Sequence, residues 1–296
     1  MTSPRAAVPF AGCFAGAADA AGCRLVFTGL ADDSQSSYRR GAAAAPARIR
    51  RVYNGDCYNA TTESGVDLSG AVADGGDLSV AQDWPATAQA FRHYAEGLFR
   101  TGHVPFFAGG DHAVTVPVAG ALGVLGRPVH IIQIDAHPDL YPTFEGSLFS
   151  HACVAARLLE MPHIASITQF GVRTMNAVQE RTARAHAGRL HLCHASELVG
   201  PLVLPVHIPE DGLVFLDVDL DGFDPAFAPG VSHPVPGGLT PRQVLDLIQA
   251  SRGTLIGMSV VECNPELDLR DVTAVLAGRL LHEGMGAATR RSTSPT

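Results

Sequence analysis

This sequence is short of several ordinary resources. Its six cysteines, at 13, 23, 57, 153, 193 and 263, form no Cys-x-x-Cys pair and offer no disulfide framework. That excludes a stapled scaffold and leaves reduced, mostly buried thiols in a cytoplasmic protein. Charge is scarce too: 17% of residues are charged, and the formal net charge is −8 with a pI near 5.9. Nucleic acid and anionic membranes need a basic face, so neither is expected as a partner. No apolar run is long enough to cross a bilayer. The Ala- and Gly-rich segment 1–22 imitates a signal peptide but has no Leu/Val-rich stretch and is broken by Pro9 and Asp19, so it reads as a loose leader. There is no internal repeat, and residues 286–296 read as a frayed polar tail.

What is present is apolar bulk. A chain of 296 residues that is 46% hydrophobic can bury a sizeable core, and it reads as one domain spanning 1–296. Short runs rich in Val, Ile, Leu and Phe, without strict alternation, mark strands covered on both faces. They are Arg24–Leu30, Val104–Ala108, Val129–Ile134, Ile164–Phe170, Leu213–Asp219 and Thr254–Val261. Helical patterns fall between them at Ala86–Arg100, Gln179–Ala187, Pro241–Ala250 and Val272–His282. Thr240-Pro241 is a helix start, with Thr as N-cap and Pro at the first helical position. Strand–helix alternation of this kind predicts an α/β fold with a parallel sheet.

Three clusters lie at the carboxyl ends of these strands, where open α/β sheets build their sites. They are Gly109-Gly-Asp-His112, Asp135-Ala-His-Pro-Asp139 and Asp219-Leu-Asp-Gly-Phe-Asp-Pro225. Alternate residues of an extended chain point the same way, so Asp135, His137 and Asp139 can converge, as can Asp219 and Asp221. With His112 they offer two imidazoles and four carboxylates. That set is too oxygen-rich for structural zinc. It suits two hard divalent ions sharing carboxylates, manganese first, with nickel, cobalt or iron also acceptable. Two ions about 3.5–4 Å apart can hold a bridging hydroxide at neutral pH, which points to a binuclear metallohydrolase. Gly109-Gly110 is not a phosphate loop, since no Lys-Ser/Thr follows.

These clusters, together with Val261-Glu-Cys-Asn-Pro265, Gly237-Gly-Leu-Thr240 and Gly171-Val-Arg-Thr174, resemble the ureohydrolases, the family of arginases and agmatinases, from about Gly29 to about Gly284. The resemblance implies a three-layer α/β/α sandwich, the fold shared with metal-dependent deacetylases. It implies two Mn(2+) per chain, with His112 and Asp139 on one ion, His137 and Asp221 on the other, and Asp135 and Asp219 bridging. The bridging hydroxide would attack a guanidinium carbon and release urea and an amine. Glu262 would hold the guanidinium by charge-assisted hydrogen bonds, and His151 would protonate the leaving amine. The implied partners are a small guanidino substrate and copies of the chain in a homo-oligomer, a trimer or hexamer. Agmatine is the expected substrate. The alternatives are a guanidino acid such as guanidinobutyrate or guanidinopropionate, or guanidine itself. A one-metal deacetylase or a non-catalytic paralogue is remote, because all six ligands, His151 and Glu262 are in place.

The sequence departs from the family pattern at particular points. Asp217 stands where relatives usually carry a small hydroxyl residue. Either it accepts a hydrogen bond from a ligand histidine, or it is a solvated or Arg-paired acid. Gly230-Val-Ser-His-Pro234 replaces Gly-Thr-Gly-Thr-Pro and puts His233 near the substrate or on a solvent-facing turn. Tyr141 occupies a position where arginases recognise the amino-acid end of the substrate, which counts against arginine. Loop 140–150 has Glu145 as its only charge, which favours an amine tail. Arg173 is a candidate clamp for a carboxylate tail, or a structural arginine. Cys153, two residues from His151, is a packing thiol, and Asp224 in Asp-Pro makes a turn.

Overall fold

A computed structural model describes residues 8–250 and 253–290. Its strands are β1 (Leu25–Leu30), β2 (Val72–Asp77), β3 (Val104–Gly109), β4 (Val129–Ile134), β5 (Ile164–Val172), β6 (Leu190–His194), β7 (Leu213–Asp219) and β8 (Thr254–Val261). They form one eight-stranded sheet in the order β2-β1-β3-β8-β7-β4-β5-β6, and every neighbouring pair is parallel. The helices are α1 (Ala45–Val52), α2 (Trp84–Arg100), α3 (Thr115–Ala121), α4 (Val154–Leu159), α5 (Ala177–Ala185), α6 (Pro241–Ala250) and α7 (Val272–Arg290).

The interior strands separate their side chains into two cores. Phe106, Ile132 and Leu216 pack in one with residues of α1, α6 and α7. Phe107, Ile131 and Phe215 pack in the other with residues of α2, α3 and α4. Adjacent residues thus point to opposite faces, and helices cover both, giving the three-layer α/β/α sandwich. Burying one such aromatic or aliphatic side chain contributes about 1.5–3 kcal/mol.

The six expected strands are all present, with ends shifted by a residue or two at three of them. The two edge strands were not legible. Residues Val72-Ala-Asp-Gly-Gly-Asp77 carry little apolar surface and only Val72 is buried, and an edge strand needs little because one side of it lies open. Helix starts follow local chemistry. The Asp83 carboxylate accepts from the Ala86 N–H at 2.9 Å, with Pro85 in the first turn of α2. Thr240 and Gln243 exchange hydrogen bonds at the head of α6.

Both ends differ from expectation. Within residues 8–22, positions 10–14 are no loose leader: Phe10 is fully buried, 5.1 Å from the Phe27 ring and 5.5 Å from the Tyr53 ring, whereas residues 16–19, 21 and 22 are exposed. An aromatic cluster pins the segment across α1 and β1, which Ala/Gly-rich composition did not betray. Nor are residues 286–289 frayed: they continue α7, with Ala287 and Ala288 buried in the core. Residues 1–7 and 291–296 lie outside the described residues.

Strand order sets the site. The four central strands, β3, β8, β7 and β4, are neighbours, and their carboxyl ends are level: Ala108 pairs with Val260, Val260 with Val218, and Val218 with Ile134. His112 follows β3, Glu262 follows β8, Asp219 ends β7, and Asp135 follows β4. Four distant stretches of sequence therefore open at one place.

Candidate metal centre

The Gly-Gly-Asp-His turn is shaped by close approach. A Cβ on Gly110 would lie 1.8 Å from the Asp32 carbonyl oxygen. Only glycine admits that crossing. The following Asp111 accepts from the Ala113 N–H at 3.0 Å and the Gln35 N–H at 2.8 Å, which fixes the turn that aims His112 inward. Buried and beside Glu262, the Asp111 carboxyl is pushed up to about 8. Two functional candidates, Asp139 (φ 48°) and Glu262 (φ 63°), are non-glycine residues in the left-handed region. Such strain costs about 1–3 kcal/mol each and persists where surrounding structure enforces it.

All six predicted ligands converge. His112 Nδ1 lies 2.9 Å from Asp139 Oδ2 and 3.3 Å from both Asp135 Oδ2 and Asp219 Oδ2. His137 Nδ1 lies 2.9 Å from Asp221 Oδ2 and 3.9 Å from Asp135 Oδ1. Two groups of donors could each hold a cation: His112, Asp135 and Asp219, and Asp135, His137 and Asp221. Asp135 belongs to both. The Asp219 and Asp135 carboxylates also brace their own turns, accepting from the Asp221 N–H at 2.9 Å and the His137 N–H at 2.6 Å.

The electrostatics of the cluster favour bound positive charge. Burial, and then the neighbouring carboxylates, push Asp135 and Asp219 well above the usual carboxylate range. Burial opposes the charge on His137, but Asp221 overcomes it and lifts the imidazole to about 9. His112 Nδ1 and Asp135 Oδ2 are buried with no hydrogen-bond partner. Unpartnered buried polar atoms facing each other across a cluster of acids fit a cation, and a set of imidazole and carboxylate donors fits two hard divalent ions.

Glu262 and His151 stand beside this cluster. Glu262 Oε1 accepts from the His112 N–H at 2.9 Å and faces His151 Nδ1 at 2.9 Å. Its second oxygen takes no hydrogen bond from the described residues. Burial disfavours the His151 cation, yet Glu262 outweighs it and raises the imidazole to about 9. The other ring nitrogen, Nε2, lies 2.8 Å from Ser37 Oγ. Ser37 has no motif and comes from far upstream, so no sequence signal marked it. The same is true of Thr115 and Ser259, which serve Asp217.

A cavity of about 460 Å³ opens over the cluster. It is lined by His137, Asp139, Asp219 and Asp221 of the cluster, by Ser37, His151 and His233, and by Tyr141, Phe144, Arg173, Met175, Asn176 and Gln179. His233 lies on the cavity, not on a solvent-facing turn, its ring 5.0 Å from His151 and 6.0 Å from His137. Burial and then the His151 charge hold it below the usual imidazole value. The Tyr141 hydroxyl meets the Asn176 side-chain amide.

Three other expectations are decided here. Arg173 lines the cavity, but its guanidinium is engaged, donating to the carbonyls of Gly171, Asp221, Gly222, Phe223 and Val235. Glu145 is exposed and does not line the cavity, so loop 140–150 sets no negative charge there. Cys153 is buried, its thiol turned to the Ser147 carbonyl and pushed up to about 11 mainly by burial.

An arginase-family model matches residues 23–286. The chain is 33% identical over 260 residues to the mitochondrial arginase of Medicago truncatula, covering 84% of this chain and 77% of that protein. It is 32% identical over 287 residues to the mitochondrial guanidino acid hydrolase of Homo sapiens, covering 92% and 80%. The fold superposes on the agmatine ureohydrolase of Thermoplasma volcanium with a TM-score of 0.81 at 26% identity, covering 97% of this chain and 96% of that one. The family match spans every strand end that carries the site, and on it and on these relatives the chain belongs to the arginase family of ureohydrolases.

Proposed function

We propose that this ureohydrolase is a binuclear manganese enzyme that hydrolyses agmatine, or a guanidino compound close to it, to urea and an amine. The observation that carries the reading is the pair of donor groups sharing Asp135 beside an anchored Glu262. His112, Asp135, Asp139 and Asp219 would hold one ion, and His137, Asp221, Asp135 and Asp219 the other. When bound, the ions would supply a water-derived nucleophile at neutral pH.

The chain's own residues do the rest. A guanidinium is resonance-stabilised and cationic, so it must be held against like charge. Glu262 would do this through Oε2: the His112 N–H and His151 fix Oε1, and Glu262 itself is buried and meets the cavity through His151, which lines it. Glu262 lifts His151 to about 9, which favours its imidazolium form at neutral pH. His151 Nδ1 faces, at 2.9 Å, the carboxylate proposed to hold the guanidinium, which would put its proton beside the leaving nitrogen. Tyr141 and His233 shape the walls around the tail.

The tail is supported less directly. Arg173 is committed to backbone carbonyls, and the chain contains no lysine, which disfavours a carboxylate tail. One observation favours the second reading, a guanidino acid. Arg39 lies over the Tyr38 ring at 5.0 Å, and Tyr38 lies 5.6 Å from the His233 ring at the cavity. A cytoplasmic setting is supported by six unpaired cysteines. No described helix is long and apolar enough to cross a membrane. A homo-oligomer, trimer or hexamer, belongs to the same reading and rests on the family resemblance.

The test is urea release after manganese loading from agmatine, arginine, guanidinobutyrate, guanidinopropionate and guanidine. Preference for agmatine is expected. Preference for a carboxylate-tailed compound that collapses in Arg39→Ala would establish the second reading instead. No urea from any of them, with two ions bound per chain, would refute both.

A further inference from the structure

The least expected charge in the centre belongs to Asp217. It lies on β7, fully buried, and takes hydrogen bonds on both oxygens. Oδ1 accepts from the hydroxyls of Thr115 at 2.9 Å and Ser259 at 2.5 Å. Oδ2 accepts from the Gln133 amide at 3.2 Å and lies 2.8 Å from His112 Nε2. Gln133 is itself held, its Oε1 accepting from Gln169 at 2.7 Å. No arginine reaches Asp217 among the described residues, and it is not solvated, so neither form of the bland alternative applies.

The charge count makes this placement informative. Four candidate ligand carboxylates face two dications, Glu262 faces His151 or a substrate cation, and the buried Asp111 carboxyl is held by the Ala113 and Gln35 N–H groups. Asp217 has no counter-ion of its own. A buried carboxylate is costly unless paired and hydrogen-bonded. Among the described residues, the one cationic charge in its reach is that of His112, whose Nε2 lies 2.8 Å from Oδ2 and 3.0 Å from the Gln133 amide nitrogen; with a cation on Nδ1, Nε2 carries the proton and donates it to Asp217. His112 Nδ1 is the atom that turns to Asp135, Asp139 and Asp219. A cation on Nδ1 would therefore be felt by Asp217 through the ring, and Asp217 would make that ring a stronger ligand. His137 has no such support: its side chain is 27% exposed, and its Nδ1 faces Asp221 and Asp135.

Resting on the binuclear reading above, we propose that Asp217 is a positioning residue that acts through His112 to make the His112 side of the metal centre the tighter of the two. The two ions then differ in affinity, and the His137-side ion leaves first.

The experiment is manganese titration calorimetry on the metal-free full-length chain, with metal content measured after dialysis against a weak chelator. The wild type is expected to bind two ions in two steps and to keep one after dialysis. Asp217→Ser, which restores a small hydroxyl, is expected to weaken the tighter step by about 10- to 100-fold and to keep neither ion. Asp217→Asn, which keeps shape without charge, is expected to fall between them. Thermal unfolding of the metal-free variants separates out a packing role, which would lower stability and leave both binding steps unchanged. Two steps with wild-type constants in Asp217→Ser overturn the proposal while leaving two bound ions, and so leave the function reading intact. A wild type that binds fewer than two ions overturns both.

Discussion

His151 Nδ1 and Glu262 Oε1 face each other at 2.9 Å, a hydrogen-bonded acid–base pair brought together from two loops 111 residues apart in sequence. Each sets the charge of the other. Burial works against both, but the pairing lifts His151 to about 9 and keeps Glu262 below its ordinary range.

The sign of the pH dependence follows. A raised imidazole pKa keeps the acid form full at pH 7 and loses it as pH rises through about 9. If His151 protonates the leaving amine, kcat should hold near neutrality and fall on the alkaline side of that value. His151→Asn should lower kcat by about 100- to 10,000-fold and abolish that limb. A wild-type profile still rising well beyond pH 9 would count against the acid role.

Glu262→Gln should keep the shape of the site and remove its charge. Hydrogen bonds to charged groups contribute about 1.5–3 kcal/mol, so kcat/KM should fall by roughly ten- to over a hundredfold. Steady-state kinetics with unchanged metal content would confirm that the loss is in substrate binding. An unchanged KM and kcat would remove Glu262 from the site.

Asp135 belongs to both donor groups. Asp135→Asn should therefore reduce manganese content below one ion per chain, whereas His137→Asn should spare the His112 side. Elemental analysis of the two purified variants decides between a shared ligand and two independent ones.

Gly110→Ala should be costly, because the new methyl would meet the Asp32 backbone at 1.8 Å. Overpacking against backbone costs about 1–3 kcal/mol. A lowered Tm with reduced metal content is expected, since Asp111 and His112 follow directly. A wild-type Tm would mean the Asp32 loop gives way freely.

Arg173→Gln should act on stability alone. Its guanidinium bridges loop carbonyls and touches no described acid. Denaturation midpoints should fall, while the ranking of amine-tailed and carboxylate-tailed substrates stays as in the wild type. A selective loss of one tail class would return Arg173 to the role of clamp.

Much of this was legible in the chain itself. Six interior strands announced themselves through apolar runs, and D-x-H-x-D and D-x-D spacing at strand ends marked the candidate ligands, but not for the expected reason: Asp221 lies in a 3-10 turn and Asp139 in the left-handed region, so tight turns after the strands bring these side chains together, not alternation in extended backbone. Edge strands such as Val72–Asp77 were not legible, since a strand with one open side needs no apolar pattern. Glu145 misled because a charge in a loop says nothing about which way the loop faces.

The sequence by itself determined which residues could ligate a metal and that they would lie at the carboxyl ends of strands. Only the tertiary structure decided that β3, β8, β7 and β4 are neighbours, that Asp135 is common to both donor groups, and that Ser37 reaches His151 while Asp217 reaches His112. Spacing within a segment is fixed by backbone geometry, whereas contact between segments depends on strand order and the burial of two cores, which no short stretch of chain encodes.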